Sequence, residues 1–445
     1  MSVSTQAPVQ AEGRPESVAH SMRTARWLAV EHAVALAATF TAPISLFVLS
    51  GLRLGGAVAL LLCPFWIPSL RRYSHGRAFI LVGLVAWASG LILTEVRRGS
   101  LFVNDSNAHF QSLDVLGFLA VIGLLLWARV VLSTRTVGIV YGVAMVVSIP
   151  LNLPAASANY WKFAVALPLT VLLLSVLGGR RRSRLWPEIL GLTLLLLASA
   201  KFDSRSLAAA LAFAIGLVAW QKRPVTRASA RWWGWSAAVL AVTGIGMYFL
   251  GTGLLVSGAL GAETQQRTIR QVETSGSLLL GGRPEIMATA ALMSEVPLGF
   301  GYGVQVDTTL LNDVKTSMQT INYQTADNKY VDVFMFGQAI ELHSAVADLW
   351  AMCGVMGAAL GLFAVVALVR GVVEGVQRRQ ARAVALLLAV WALFELGFGP
   401  FYSAVTGLSL ALALNFSTKE PETSMHGHPL TQPRRDLKEK QYADV

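Results

Sequence analysis

Residues 345–369 read AVADLWAMCGVMGAALGLFAVVALV, an apolar run whose single charge, Asp348, sits near its start. As a helix rising 1.5 Å per residue, it is long enough to cross the roughly 30 Å hydrocarbon core of a bilayer. Comparable runs recur near 29–50, 54–70, 78–94, 113–132, 136–151, 161–177, 186–200, 206–220, 234–256, 383–398 and 401–416. Over all 445 residues, 54% are hydrophobic and only 14% charged, which is too apolar for a soluble protein. The reading is an all-α, polytopic membrane protein with about twelve transmembrane helices.

The net charge of +11 comes from short basic clusters between the apolar runs, the pattern of cytoplasmic membrane loops and not of a nucleic-acid surface. With the amino terminus inside, alternate connections collect 25 of the 36 Lys and Arg, among them Arg71, Arg72, Arg129, Arg135, Arg180, Arg181, Arg370, Arg379 and Arg382. Both termini are therefore expected in the cytoplasm. Residues 1–26 are polar and lack the short apolar core of a cleaved signal peptide, so the first span is expected to act as the signal. Residues 27–256 hold nine spans, 257–344 one long extracytoplasmic loop, 345–416 three spans, and 417–445 a cytoplasmic tail whose charge and proline content predict disorder. Cys63 and Cys353 fall inside apolar runs and read as small buried residues.

Positive charge on the expected outer side runs against the orientation bias, and seven such residues fall in two segments. Lys201 and Arg205 lie in a short turn; Arg267, Arg270, Arg283, Lys315 and Lys329 lie in the long loop. Within that loop, 264–275 could form a surface helix, Pro284 suits the start of a helix through Ile286, Ala290 and Met293, and the glycines of 297–303 end it. No periodicity is legible from 304 to 340. Arg205 and Arg283 offer planar forks of donors that fit phosphate oxygens; alternatively they snorkel to the interface or bind lipid headgroups. His343, just before a span, has the near-neutral pKa of a general base, although an interfacial histidine is also commonly structural. Asp348 and Glu341 flank it, with salt bridging or solvation the expected role of Asp348. Asp307, Asp313, Asp327 and Asp332 match no calcium or magnesium spacing and read as a solvated loop, so no metal is expected. Glu31, His32 and Glu395, in or near spans, are weak pointers to a proton relay.

Three elements together resemble the O-antigen ligase and polymerase superfamily of bacterial membrane glycosyltransferases. They are Ser204-Arg205 at an outer turn, Gly282-Arg283 followed by Pro297-Leu298-Gly299-Phe300-Gly301-Tyr302-Gly303, and His343-Ser344 leading into residues 351–357. Ser344 stands where that family often has asparagine, and Met287 where an aromatic is common. The resemblance implies an enzyme of the bacterial inner membrane, its site facing outward, that moves a glycan from undecaprenyl diphosphate to an acceptor hydroxyl without cofactor or metal. It further implies that Arg205 and Arg283 hold the diphosphate and His343 activates the glycan or glycolipid acceptor; membrane lipids are the other expected partner. The rival reading, a transporter or flippase of lipid-linked glycans, requires polar residues along a path through the bilayer, and mid-span charge is scarce here.

Overall fold

The computed structural model describes residues 14–49, 51–152, 159–178, 186–221, 282–379 and 381–419, together with 265–266, 268–269 and 273. The apolar run 234–256, most of the expected surface helix 264–275, the basic clusters 180–184 and 222–231, and the tail beyond residue 419 lie outside them. The described chain is mostly helical. In order come α1 (Arg14–Thr41), a hairpin of β1 (Phe47–Leu49) and β2 (Leu52–Arg53), α2 (Leu54–Leu61), α3 (Cys63–Ser69), α4 (Gly76–Arg97), α5 (Asp105–Val131) and α6 (Thr134–Val147). Then follow α7 (Ala166–Leu177), α8 (Trp186–Lys201), α9 (Arg205–Trp220), α10 (Glu285–Glu295), α11 (Thr308–Gln319), α12 (Ala345–Gln377), α13 (Ala383–Phe398) and α14 (Phe401–Asn415).

Every apolar run whose residues are described coincides at least in part with a helix. Among the described residues α4, α5 and α12 can each cross a membrane by length and composition, and α2 with 63–72 is apolar enough as a pair but bent by 75°, the shape of a broken span or a re-entrant loop. Two expectations are corrected. The run at 29–50 is not one helix, since α1 ends at Thr41 and the chain turns into the hairpin, where Arg53 of β2 pairs with the buried Asp114 at 3.1 Å. The run at 54–70 breaks after Leu61, where Pro64 removes a backbone donor at the start of α3. Elsewhere polar caps begin the helices: the side chains of Asn104, Ser133 and Ser344 accept amides of α5, α6 and α12. Leu61, Ile92, Val96, Leu197, Leu362 and Val366 are exposed on the outward helix faces, a surface suited to lipid.

The connections gather at two ends of this bundle. At one end, Tyr73 bridges Thr418, Arg129 donates to the Phe416 carbonyl, Arg135 to Val176, Arg370 to His75, and Arg382 to Gly178. At the other, Val103 bridges Val304, Asn107 donates to the Gln338 carbonyl and Arg53 to that of Tyr402.

On this second end sits a folded unit that sequence periodicity left unread. Asp307 caps α11 by accepting the Leu310 amide at 2.8 Å, and α11 turns Val314 and Met318 onto α10, where Ala288 and Leu292 are fully buried. Val331, Met335, Phe336 and Ile340 close this second apolar core, which joins the bundle through Trp350 and Ala351 of α12. The strap 297–303 fixes the unit in place. The amides of Phe300 and Gly301 both donate to the Ala351 carbonyl, at 2.9 and 3.0 Å, and that of Tyr302 to Thr94 Oγ1 at 2.7 Å. Gly301, at φ +107°, lies so close to α4 that a Cβ would come within 2.4 Å of the Thr94 nitrogen. Gly301→Ala is therefore expected to destabilise the fold by about 1 to 3 kcal/mol, read as a lower midpoint of thermal unfolding in detergent.

Candidate functional site

Arg283 immediately precedes Pro284, which caps α10 and sets its direction. Its guanidinium lies 5.6 Å from the ring centroids of both Phe394 and Phe398. These two residues are four apart on α13 and so share a face. Stacking on aromatic faces orients a guanidinium without consuming its donors. Among the described residues the Arg283 guanidinium makes no hydrogen bond or ion pair, its carbonyl accepting the Ile286 amide, which leaves the fork available to an anion.

His343 is held from both sides along the chain. Before it, the Glu341 amide donates to the Met335 carbonyl and the Leu342 amide to Asp348 Oδ1 at 2.6 Å. After it, Ser344 caps α12 and its hydroxyl donates to the Leu396 carbonyl at 2.9 Å. Between these anchors His343 adopts φ +49°, a left-handed conformation that costs a non-glycine residue about 1 to 3 kcal/mol. The surrounding bonds impose that conformation at a residue whose imidazole lines a cavity. Burial pushes the His343 pKa below the ordinary imidazole value, opposed by the Glu285 carboxylate and assisted by the Arg283 charge. The imidazole is therefore neutral at neutral pH, the form that can accept a proton.

The cavity occupies about 280 Å³ between α10, the residues leading into α12, and the end of α13. Arg283, Glu285, Thr289, His343 and Ser344 supply its polar wall; Ile286, Ala290, Met293, Leu342, Ala347 and Phe398 supply the apolar one. Glu285, 5% exposed, accepts a hydrogen bond from the Tyr330 hydroxyl, and the Tyr330 ring lies 5.4 Å from that of His343. Burial, followed by the Glu285 charge, raises the Tyr330 pKa well above the usual phenol range, so Tyr330 stays a donor.

Arg283 and His343, distant in sequence, thus meet in one cavity. Arg205 does not line it. It opens α9 and pairs with Asp203 at 2.9 Å. Arg205 nevertheless lies at the same end of the bundle. Arg382 ties the start of α13 to the end of α7, while Trp161 stacks on Phe202 at the other end of α7, so the last turn of α13 and the first of α9 face the same way.

Several flanking groups take roles other than those expected. Asp348 is neither salt-bridged nor solvated: 4% exposed, it accepts the amides of Leu342 and Phe401, at 2.6 and 2.8 Å, and clasps the approach to His343 onto α14. It does not line the cavity beside His343, which removes it as an alternative base there. Glu341 is half-buried, and burial raises its pKa. The loop aspartates are only partly solvated. Asp313 and Asp327 are exposed, but Asp307 caps α11 and Asp332 pairs with Lys315 at 2.5 Å. Glu31 accepts from Trp127 of α5, and the exposed His32 meets the Leu28 carbonyl of its own helix.

Glu285, Tyr330 and the Phe394–Phe398 pair are the site residues that sequence reasoning passed over. Glu285 lay two positions after Arg283, and the two phenylalanines stood one helical turn apart in an apolar run, so both had a signal. Tyr330, in a π-helical turn within an aperiodic stretch, had none. No protein-family model, no curated protein and no solved structure matches this chain.

Proposed function

We propose that this chain is a glycosyltransferase of the bacterial inner membrane, an O-antigen-type ligase or a polysaccharide polymerase, that transfers a glycan from undecaprenyl diphosphate to an acceptor hydroxyl on the outer side. The observation that carries this reading is the meeting of Arg283 and His343 in one cavity, a fixed cation beside a neutral base. In this scheme the Arg283 fork holds the diphosphate. His343 takes the proton of the acceptor hydroxyl as its oxygen bonds to the anomeric carbon, and the bond from that carbon to the diphosphate oxygen breaks, its electron pair leaving with the lipid diphosphate. Arg205, at the same end of the bundle, would meet the diphosphate or the glycan from outside the cavity.

Purified protein supplied with a lipid-diphosphate-linked glycan and a glycan acceptor tests the proposal. Formation of the coupled glycan with release of lipid diphosphate is the expected result. Movement of the donor across proteoliposomes without its consumption would favour the transporter instead.

The orientation has its own test. Basic residues concentrate at the end of the bundle opposite the cavity, which favours placing the cavity outside. Thr316 is exposed on α11. A single cysteine there, in a background lacking Cys63 and Cys353, is expected to react with a membrane-impermeant maleimide in intact spheroplasts. Protection until lysis would invert the layout.

A further inference from the structure

We propose that Glu285 is the positioning residue of this site: a carboxylate, itself held by Tyr330, that stabilises the positive charge His343 acquires on accepting a proton. Its part in turnover rests on the transfer reading above; its pairing with His343 does not.

Glu285 begins α10 and is 5% exposed, and a carboxylate removed from water must find compensating charge or hydrogen bonds. One oxygen accepts the Tyr330 hydroxyl, while Oε2 is buried and has no hydrogen-bond partner among the described residues. His343 Nδ1 is likewise buried without a well-formed hydrogen bond, and the Glu341 backbone carbonyl beside the ring adds to the support of its protonated form. Both side chains line the same cavity, and Tyr330 bridges them, bonded to the carboxylate and packed on the imidazole. The amino-terminal end of α10 adds a field that favours the anion. The acid-base groups around His343 leave Glu285 as its counter-charge. Arg283 brings positive charge from the same side, Tyr330 is a neutral phenol, and Glu341 belongs to the histidine's own segment. Asp348 is turned onto the Leu342 and Phe401 amides, and Glu395 of α13 lies within electrostatic reach of Arg283. In the transfer step Glu285 takes no proton. The proton passes from the acceptor oxygen to the imidazole, rests there against the carboxylate, and is lost to water after the product leaves.

The test is a titration of His343 by NMR of ring-labelled histidine in the detergent-solubilised protein, its signal assigned by the loss seen in His343→Ala. An opposite charge within about 4 to 6 Å moves a pKa by about 1 unit or more. Glu285→Gln keeps an acceptor for Tyr330 but removes the charge, and is expected to lower the His343 pKa by about 1 pH unit. Tyr330→Phe retains the carboxylate and should leave the His343 pKa at or above its wild-type value. In the transfer assay, the acidic limb of the kcat profile should move downward with the Glu285→Gln titration. A His343 titration unchanged by Glu285→Gln overturns the proposal. Should Glu285→Gln not fold, Glu285→Asp carries the test: it withdraws the carboxylate by one methylene, so a smaller fall supports the pairing and no fall overturns it. Absence of transfer by the wild-type protein would count against the glycosyltransferase reading alone, because the titration needs no substrate.

Discussion

Replacing Arg283 with alanine is expected to lower kcat/KM for the lipid-diphosphate donor by about 10² to 10³-fold, the scale for removing one preorganised donor of a charge-stabilising site. The more informative substitution is Arg283→Lys. Lysine keeps the charge but cannot reproduce the two-pronged contact, and its compact, strongly hydrated ammonium gains less from the faces of Phe394 and Phe398. Charge-assisted hydrogen bonds contribute about 1.5 to 3 kcal/mol each, so losing one prong costs about tenfold or more. Arg205→Ala should have the smaller effect, since Arg205 lies outside the cavity lining and already pairs with Asp203. Steady-state kinetics across a donor series separates the three variants. Unchanged donor affinity and turnover in both alanine variants would remove the arginines from the donor site.

His343→Ala is expected to insert and fold yet lose about 10² to 10⁴-fold in turnover, the usual contribution of a positioned base. Folding should survive because the anchors on either side, Leu342 to Asp348 and Ser344 to Leu396, are made by other residues. The pH dependence has a definite sign. Burial lowers the His343 pKa, so its neutral, proton-accepting form predominates above a value that lies under the ordinary imidazole pKa of about 6.5. The rate should fall as acid protonates the imidazole, with the midpoint below that value and a plateau through neutrality. A rate that falls instead toward alkaline pH, or near-normal transfer by His343→Ala, would make the residue structural.

Much of the bundle was legible because lipid-spanning helices need only length and apolarity, and both can be counted along a chain. Breaks inside such runs were harder to read. Nothing in hydropathy separates 29–50 from a continuous helix, since the residues that turn back after Thr41 into the hairpin are as apolar as those before them. Arg283 and His343 were legible as candidates because a charge that defies the orientation bias, and a titratable group at an interface, stand out against an apolar background. Their meeting was not, because it depends on the fold of 304–340. There α11 did carry a signal: Asp307 as a cap, then Leu310, Val314 and Met318 at helical spacing. The turn beginning at Tyr330 has no such pattern, and its place is set by contacts with Glu285 and His343 that only the folded chain brings together. Asp348 was misread for a related reason. Its acceptors face amides from Leu342 and Phe401, the second 53 residues away, and sequence spacing on a helix does not report partners of that kind.

The clasp at Asp348 bears on how the site comes into being during synthesis. Arg283, Glu285, Tyr330 and His343 are all translated before α14, but the second oxygen of Asp348 is satisfied only by the Phe401 amide, and Ser344 is tied to Leu396 at the end of α13. A nascent chain halted short of these residues would hold every cavity-lining group up to Ala347 and still lack two of the anchors that flank His343. Maturation of the cavity is thus coupled to integration of the carboxy-terminal hairpin of helices, and a truncated product would be inserted but unformed at the position where chemistry is assigned.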